Sequence, residues 1–236
     1  MRGKKHRALS AEELAARVVT NSEPASVASE AYRTLRTNLI YSHVDVPPKV
    51  IVLTSPGSGE GKSTSCANLG VVLAQTGKAV LILDCDFRKP VMHKFFGMRN
   101  LIGLVDVLAG ERKLQEVTSQ PLEGLTVAPA GRIPPNPSEL LGAQRFKQLL
   151  TGARQEFDYV LVDAPPVGIV SDAAIVATQG DGVLLVLDAQ NTRKRAVQQA
   201  LRNLDNVGAS VLGTVMNNVK VLNGEHHDSY EYYRGA

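Results

Sequence analysis

Five short apolar runs constrain the fold of this chain more than any other feature. Residues 49–54, 79–84, 158–163, 182–188 and 211–216 are rich in Val, Ile and Leu and lack a regular alternation with polar residues. A strand that is apolar on both sides must be covered on both sides, which is the situation of a parallel sheet sandwiched by helices. Stretches of helical periodicity separate the runs, so right-handed βαβ crossovers are expected. The prediction is therefore an α/β domain with a mostly parallel central sheet and helices on both faces. Residues 125–128 add a candidate sixth strand.

A length of 236 residues suits one such domain and is too short for two large ones. Hydrophobic residues at 44% and charged residues at 21% exclude a fibrous or wholly disordered chain. The net charge of +3 would ordinarily raise nucleic acid as a partner. Arg2, Lys4, Lys5 and Arg7 carry +4 of it, however, which leaves −1 on the rest of the chain. A basic tip on a near-neutral body reads as a solvated or membrane-surface segment, and no nucleic-acid partner is expected. No run reaches the roughly 18 apolar residues of a membrane span, and the first residues lack the apolar core of a signal peptide. A cytoplasmic location follows as the expectation. Cys66 and Cys85 sit in apolar elements without metal-ligand spacing and read as small buried residues in a reducing compartment.

Three divisions are expected: a basic flexible segment over 1–24, the folded domain over 25–220, and a flexible tyrosine-rich tail over 221–236. The prolines of Ile133-Pro134-Pro135-Asn136-Pro137 cannot continue a helix or a central strand, so this is an ordered loop leading to a helix capped at Ser138. Within residues 27–39, Glu30, Arg33 and Arg36 share one helical face, with Val27, Ala31, Leu35 and Leu39 opposite. An ordinary amphipathic helix with one internal ion pair accounts for that spacing.

The strongest chemical signal is Ser55-Pro56-Gly57-Ser58-Gly59-Glu60-Gly61-Lys62-Ser63-Thr64, placed between an expected strand and an expected helix, the context of a P-loop. Glycines allow positive φ and close approach to phosphate, and the amides of Gly57 to Thr64 with the helix start supply donors. Lys62 is expected to reach the β and γ phosphates of ATP, and Ser63 to offer its hydroxyl to Mg²⁺. Pro56 departs from the strict signature, which has Gly there. A second apolar strand ends at Asp163, a Walker-B-type carboxylate suited to Mg²⁺. A third ends in Asp84-Cys85-Asp86-Phe87-Arg88. Beside a P-loop, one of its acids would assist the metal and the other accept a proton from an attacking hydroxyl, with the division of roles left open. Arg88 either stabilises the transferred phosphoryl group or pairs with one of those acids. Asn217, at the end of the last strand, is either an adenine contact or a strand-end turn residue.

These elements together resemble the bacterial tyrosine kinases that regulate capsule and exopolysaccharide synthesis, with their Walker A, A′ and B motifs. Further matches are Glu30-Ala31-Tyr32-Arg33-Thr34-Leu35-Arg36-Thr37-Asn38, the Ile133–Pro137 stretch and the terminal tyrosines. The resemblance implies ATP-dependent autophosphorylation of Tyr230, Tyr232 and Tyr233 between subunits of a homo-oligomeric ring, an octamer being one count it allows. It makes Glu30, Arg33 and Arg36 interface residues, and it implies a separate transmembrane activator that brings the kinase to the inner face of the membrane. Other protein tyrosines would be further substrates. From Asn217 to Tyr230 an extended chain spans about 45 Å, so a neighbour's site lies within reach. The alternative is a P-loop ATPase switch of the MinD and ParA type without protein kinase activity. The signature lysine of that group falls at Gly57 here, and the group has no use for a tyrosine cluster. A third reading is an ATP-gated scaffold whose tail another enzyme modifies.

Overall fold

The computed structural model describes residues 10–41 and 47–220. In chain order the elements are α1 (Ala11–Ala15), α2 (Val19–Ser22), α3 (Val27–Tyr41), β1 (Val50–Thr54), α4 (Lys62–Ala74), β2 (Val80–Asp84), α5 (Met92–Phe95), α6 (Leu104–Ala109), α7 (Leu114–Val117), β3 (Ser119–Leu122), β4 (Leu125–Ala128), α8 (Pro137–Gly142), α9 (Gln144–Glu156), β5 (Tyr159–Asp163), α10 (Asp172–Ala177), β6 (Gly182–Asp188), α11 (Lys194–Asp205) and β7 (Val211–Asn217).

The five apolar runs and the sixth candidate all form strands of one sheet, in the order β3-β4-β2-β5-β1-β6-β7. Every pairing is parallel except that of β3 with β4. The absence of polar alternation has the expected cause. Val50, Val52, Val160, Val162, Val183 and Leu185 pack into one hydrophobic cluster with α9, α10 and α11. Ile51, Leu53, Leu161, Leu184 and Val186 pack into a second with α4. Every position of β1, β2, β5 and β6 is buried, at roughly 25 cal/mol for each Å² of apolar surface removed from water.

Several expectations need correction. The strand β3 (Ser119–Leu122) went unanticipated, because a polar, proline-bearing stretch gives no strand signal; it is tolerated as an antiparallel edge strand. The segment placed among flexible residues 1–24 is folded from Ser10 onward. A capping box of Ser10 with Glu13 starts α1, and Leu14 and Val18 are buried against the α4 side of the sheet. Residues 1–9 lie outside the described range. The helix after the proline loop begins at Pro137 with Asn136 as its N-cap residue, two residues before the expected position, and Ser138 is not the cap. On α3, Leu35 and Leu39 face the core as expected, but Val27 and Ala31 are exposed; Tyr32 and Ile40 take the inner positions.

Candidate active site

The strand order sets the site. Because β5 lies between β1 and β2, the loop after β1, the end of β5 and the end of β2 stand in a row along the carboxyl edge of the sheet. Leu53 pairs with Asp163, and Asp163 pairs with Asp84. The strand bearing Asp84 and Asp86 is thus one position removed from the phosphate loop, with Asp163 bridging them.

The loop after β1 turns on Gly59 and Gly61, whose φ values are +84° and +93°. Gly61 precedes α4, and a Cβ there would lie 1.9 Å from Asn217 Nδ2. Both the φ and the space therefore demand glycine. Thr54 Oγ1 donates to the Pro165 carbonyl at 2.6 Å and accepts from the Val167 amide at 3.1 Å, tying the loop after β5 to the end of β1. Lys62 is the first residue of α4. Its Nζ lies 2.9 Å from Asp86 Oδ2, 3.1 Å from Asp163 Oδ1 and 3.0 Å from Ser63 Oγ, while Ser63 Oγ donates to Asp163 Oδ2 at 2.6 Å. The three motifs therefore meet in one buried knot, and its charges perturb each other. Burial alone would lower Lys62, but Asp163 and Asp86 raise it above its ordinary value, so it stays cationic. Burial pushes Asp163 up, although Lys62 and Ser63 oppose it.

Asp84 and Asp86 are distinguished clearly. Asp84 is wholly buried, and its Oδ2 accepts from the Val91 and Met92 amides at 3.0 Å each, holding the start of α5. Its Oδ1 has no partner, and burial, reinforced by Asp163, pushes its pKa up to about 8. Asp86 lines the open cleft.

That cleft, of about 290 Å³, contains Ser58, Gly59, Gly61, Lys62, Ser63 and Thr64 on the loop side, with Arg88 among the residues opposite. Arg88 pairs with neither neighbouring acid. Its Nε and Nη2 contact the two carboxylate oxygens of Asp172 at 2.8 and 3.2 Å, and Ser138 Oγ donates to the same carboxylate at 2.6 Å. Glu60 turns its side chain away from the cleft toward Thr192, and burial raises its pKa. Asn217 donates to the Glu60 carbonyl at 3.2 Å, bracing the phosphate loop from the last strand. Gly57 accepts from Ser55 Oγ at 2.7 Å within the loop.

Glu30, Arg33 and Arg36 stay apart from this cleft. Arg33 pairs with Glu30 at 2.9 Å within α3, and Arg36 donates to the Val72 carbonyl of α4 at 3.0 Å. Tyr230, Tyr232 and Tyr233 lie outside the described residues. Sequence reasoning missed Asp172, which reaches Arg88 across 84 positions of chain, and the bond that Ser138 gives Asp172 across 34, neither of which has a local signal. It also missed Leu14 and Arg17, which line the cleft from the N-terminal segment; the Ser10-x-x-Glu13 capping box was a legible sign that this segment folds.

Among the described residues no group of three or more His, Cys, Asp and Glu forms a metal cage. The hydroxyl of Ser63 beside the carboxylate of Asp163 nevertheless suits Mg²⁺, which takes one or two hard oxygen ligands from protein and the rest from water and substrate phosphates.

A glycine-turned loop feeding a helix start, opposite strand-end aspartates on a parallel sheet, defines a P-loop nucleotide-binding protein. The family model described as an AAA domain matches residues 48–218. Tyrosine-protein kinase YwqD of Bacillus subtilis is 40% identical over 217 residues, with 92% of this chain and 90% of that protein covered. Tyrosine-protein kinase wzc of Salmonella typhi is 38% identical over 213 residues, 89% of this chain but 30% of that longer protein. Among solved structures, the chimerical protein CapA2B2 superposes with a TM-score of 0.84 at 35% identity, covering 87% of this chain and 91% of that one. The septum site-determining protein MinD of Pyrococcus horikoshii, in complex with Mg-ADP, superposes less fully, with a TM-score of 0.59 at 25% identity over 71% of this chain and 69% of that one. The chain belongs to the bacterial tyrosine-protein kinase family, within the AAA domain family.

Proposed function

We propose that this protein transfers the γ-phosphoryl group of Mg-ATP to tyrosine, its own Tyr230, Tyr232 and Tyr233 included. The observation that carries the reading is the contact of Lys62 with both Asp86 and Asp163 at the foot of the phosphate loop. Phosphate clamp, metal-side carboxylate and cleft-facing carboxylate are thereby within one side chain's reach. The amides of Gly57 to Thr64 and the α4 N-terminus hold the nucleotide's phosphates, and Lys62 exchanges an acid partner for them. Ser63 and Asp163 would hold Mg²⁺, which would supply charge neutralisation at the nucleotide's phosphates. Asp86 takes the phenolic proton as the phenol oxygen forms its bond to the γ phosphorus and the bond to ADP breaks. Asp84, with its high pKa and two amide donors, supports the site from beneath. Asn217, which braces the loop through the Glu60 carbonyl, would also supply the adenine contact.

Family membership supports the wider picture: transfer between subunits of a ring in which Glu30, Arg33 and Arg36 meet the neighbour, and control of capsule or exopolysaccharide synthesis. It also supports activation by a separate transmembrane protein at the inner face of the membrane. Among the described residues no helix is long and apolar enough to cross a membrane.

Purified protein incubated with Mg-ATP should acquire phosphotyrosine on the terminal cluster, read by mass spectrometry. Lys62→Met should lower the rate by about a hundredfold or more, and the triple Tyr→Phe variant should take up no label on the tail. Wild-type protein that hydrolyses ATP but stays unlabelled, with its membrane activator present, would overturn the assignment.

A further inference from the structure

The cleft has two tiers of unlike chemistry. Its floor is acidic, with Asp86 lining it and Asp163 joined to Asp86 through Lys62. Its rim is basic. Arg17, Arg88 and Lys89 line the same opening, and all three are exposed. Arg88 is already occupied, because Asp172 takes two of its donors and Ser138 fixes Asp172 in turn. A carboxylate held in this bidentate manner cancels the charge of Arg88 and locks its plane. The Lys89 amide donates to Asp86 Oδ1 at 3.1 Å, but neither the Arg17 guanidinium nor the Lys89 ammonium forms an ion pair among the described residues. Leu14, Pro166 and Ile169 supply apolar wall between the tiers, with Ile169 largely exposed.

This cross-section sorts peptides by charge. A carboxylate drawn inward would meet Asp86 in a buried setting where like charges repel strongly, whereas a phenol enters uncharged. Acidic neighbours of that phenol have to remain at the rim, where two cations stand unpaired. We infer that the cleft selects tyrosines flanked by acidic residues, with Arg17 and Lys89 as the specificity-determining contacts. Asp172 and Ser138 act as positioning residues that keep Arg88 folded into the rim. The inference rests on the kinase reading above and names its substrate class. The chain's own sequence fits the description: Glu225, Asp228 and Glu231 surround Tyr230, Tyr232 and Tyr233, and the first basic residue after His227 is Arg234.

The test uses the full chain with Mg²⁺ and a non-hydrolysable ATP analogue, titrated by fluorescence anisotropy with two synthetic peptides. One copies residues 225–236; the other carries Glu225→Lys, Asp228→Lys and Glu231→Lys. Wild-type protein should bind the acidic peptide about tenfold more tightly, and Arg17→Glu combined with Lys89→Glu should reverse that order. Equal binding of both peptides by wild-type protein overturns the inference without recourse to any variant, and so does a charge-reversed protein that keeps the acidic preference. The two readings fail separately. With Mg-ATP in place of the analogue, an acidic peptide that binds preferentially yet never gains phosphate sinks the kinase assignment, whereas phosphorylation of both peptides at one rate sinks the charge selection.

Discussion

Asp84 and Asp86 stand two positions apart on one strand end, yet their surroundings divide them. Asp84 holds two backbone amides and keeps one oxygen unpartnered in the interior, while Asp86 faces the cleft with Lys62 against it. The proposed reaction therefore assigns proton acceptance to Asp86. Asp86→Asn should slow tyrosine phosphorylation by about a hundredfold, the usual scale for a lost general base. Nucleotide affinity, measured by calorimetry, should change far less, because the loop amides and Lys62 remain. A parallel loss of both would assign Asp86 to phosphate binding. At this scale the sequence was legible wherever a motif is local. The glycines, Lys62, Ser63 and Asp163 converge as their spacing implied. The partner of Arg88 was not legible, since no local pattern links position 88 to Asp172 on another element's first turn.

At the scale of elements, the N-terminal helices matter most. Thr20 on α2 gives Asn68 on α4 its amide at 3.0 Å and its hydroxyl at 2.9 Å, and Asn68 Nδ2 returns bonds to the carbonyls of Arg17 and Thr64 at 2.8 and 2.9 Å. Both residues are fully buried. This polar plug fastens α1 and α2 to the helix that begins at Lys62. Asn68→Ala strands several buried groups at once and should cost about 2 to 4 kcal/mol. Thermal unfolding and limited proteolysis should show a lowered midpoint and faster cleavage within residues 10–24. A variant as resistant as the parent would mean that the segment is held by its apolar contacts alone. The sequence concealed this docking because helices of four and five residues carry too little periodicity to register. The buried strands, by contrast, announced themselves. An unbroken run of Val, Ile and Leu has few alternatives in a chain of this composition, whereas the Ser119–Leu122 strand owes its existence to its neighbour β4.

Across the whole molecule, Asp181 fastens three parts of the chain. Its Oδ2 accepts from the amides of Lys49 and Val50, both at 2.8 Å, and its carboxylate pairs with Arg154 of α9 at 2.7 Å. Burial would raise its pKa, but Arg154 and the two amides hold it below the usual carboxylate value. A depressed folded-state pKa means stabilisation that is complete above the unfolded value near 3.9 and disappears as pH falls through the folded one. Asp181→Asn should therefore lower stability at neutral pH by about 1 kcal/mol, discounted for the exposed third of the side chain. The gap from wild type should narrow as pH falls below the unfolded value near 3.9 in acid titrations followed by circular dichroism. A gap that persists there would assign the effect to packing.

Cys66 and Cys85 are both completely buried, and burial with the nearby aspartates keeps each thiol well above its ordinary pKa. Maleimide dyes and peroxide, which attack accessible thiolates, should leave the folded protein untouched. A single cysteine placed at exposed Ile169 should then take up a fluorophore alone, reporting on the mouth of the cleft in an otherwise silent molecule. Rapid labelling of the parent protein under native conditions would reveal that its interior opens far more often than so closely packed a sheet implies.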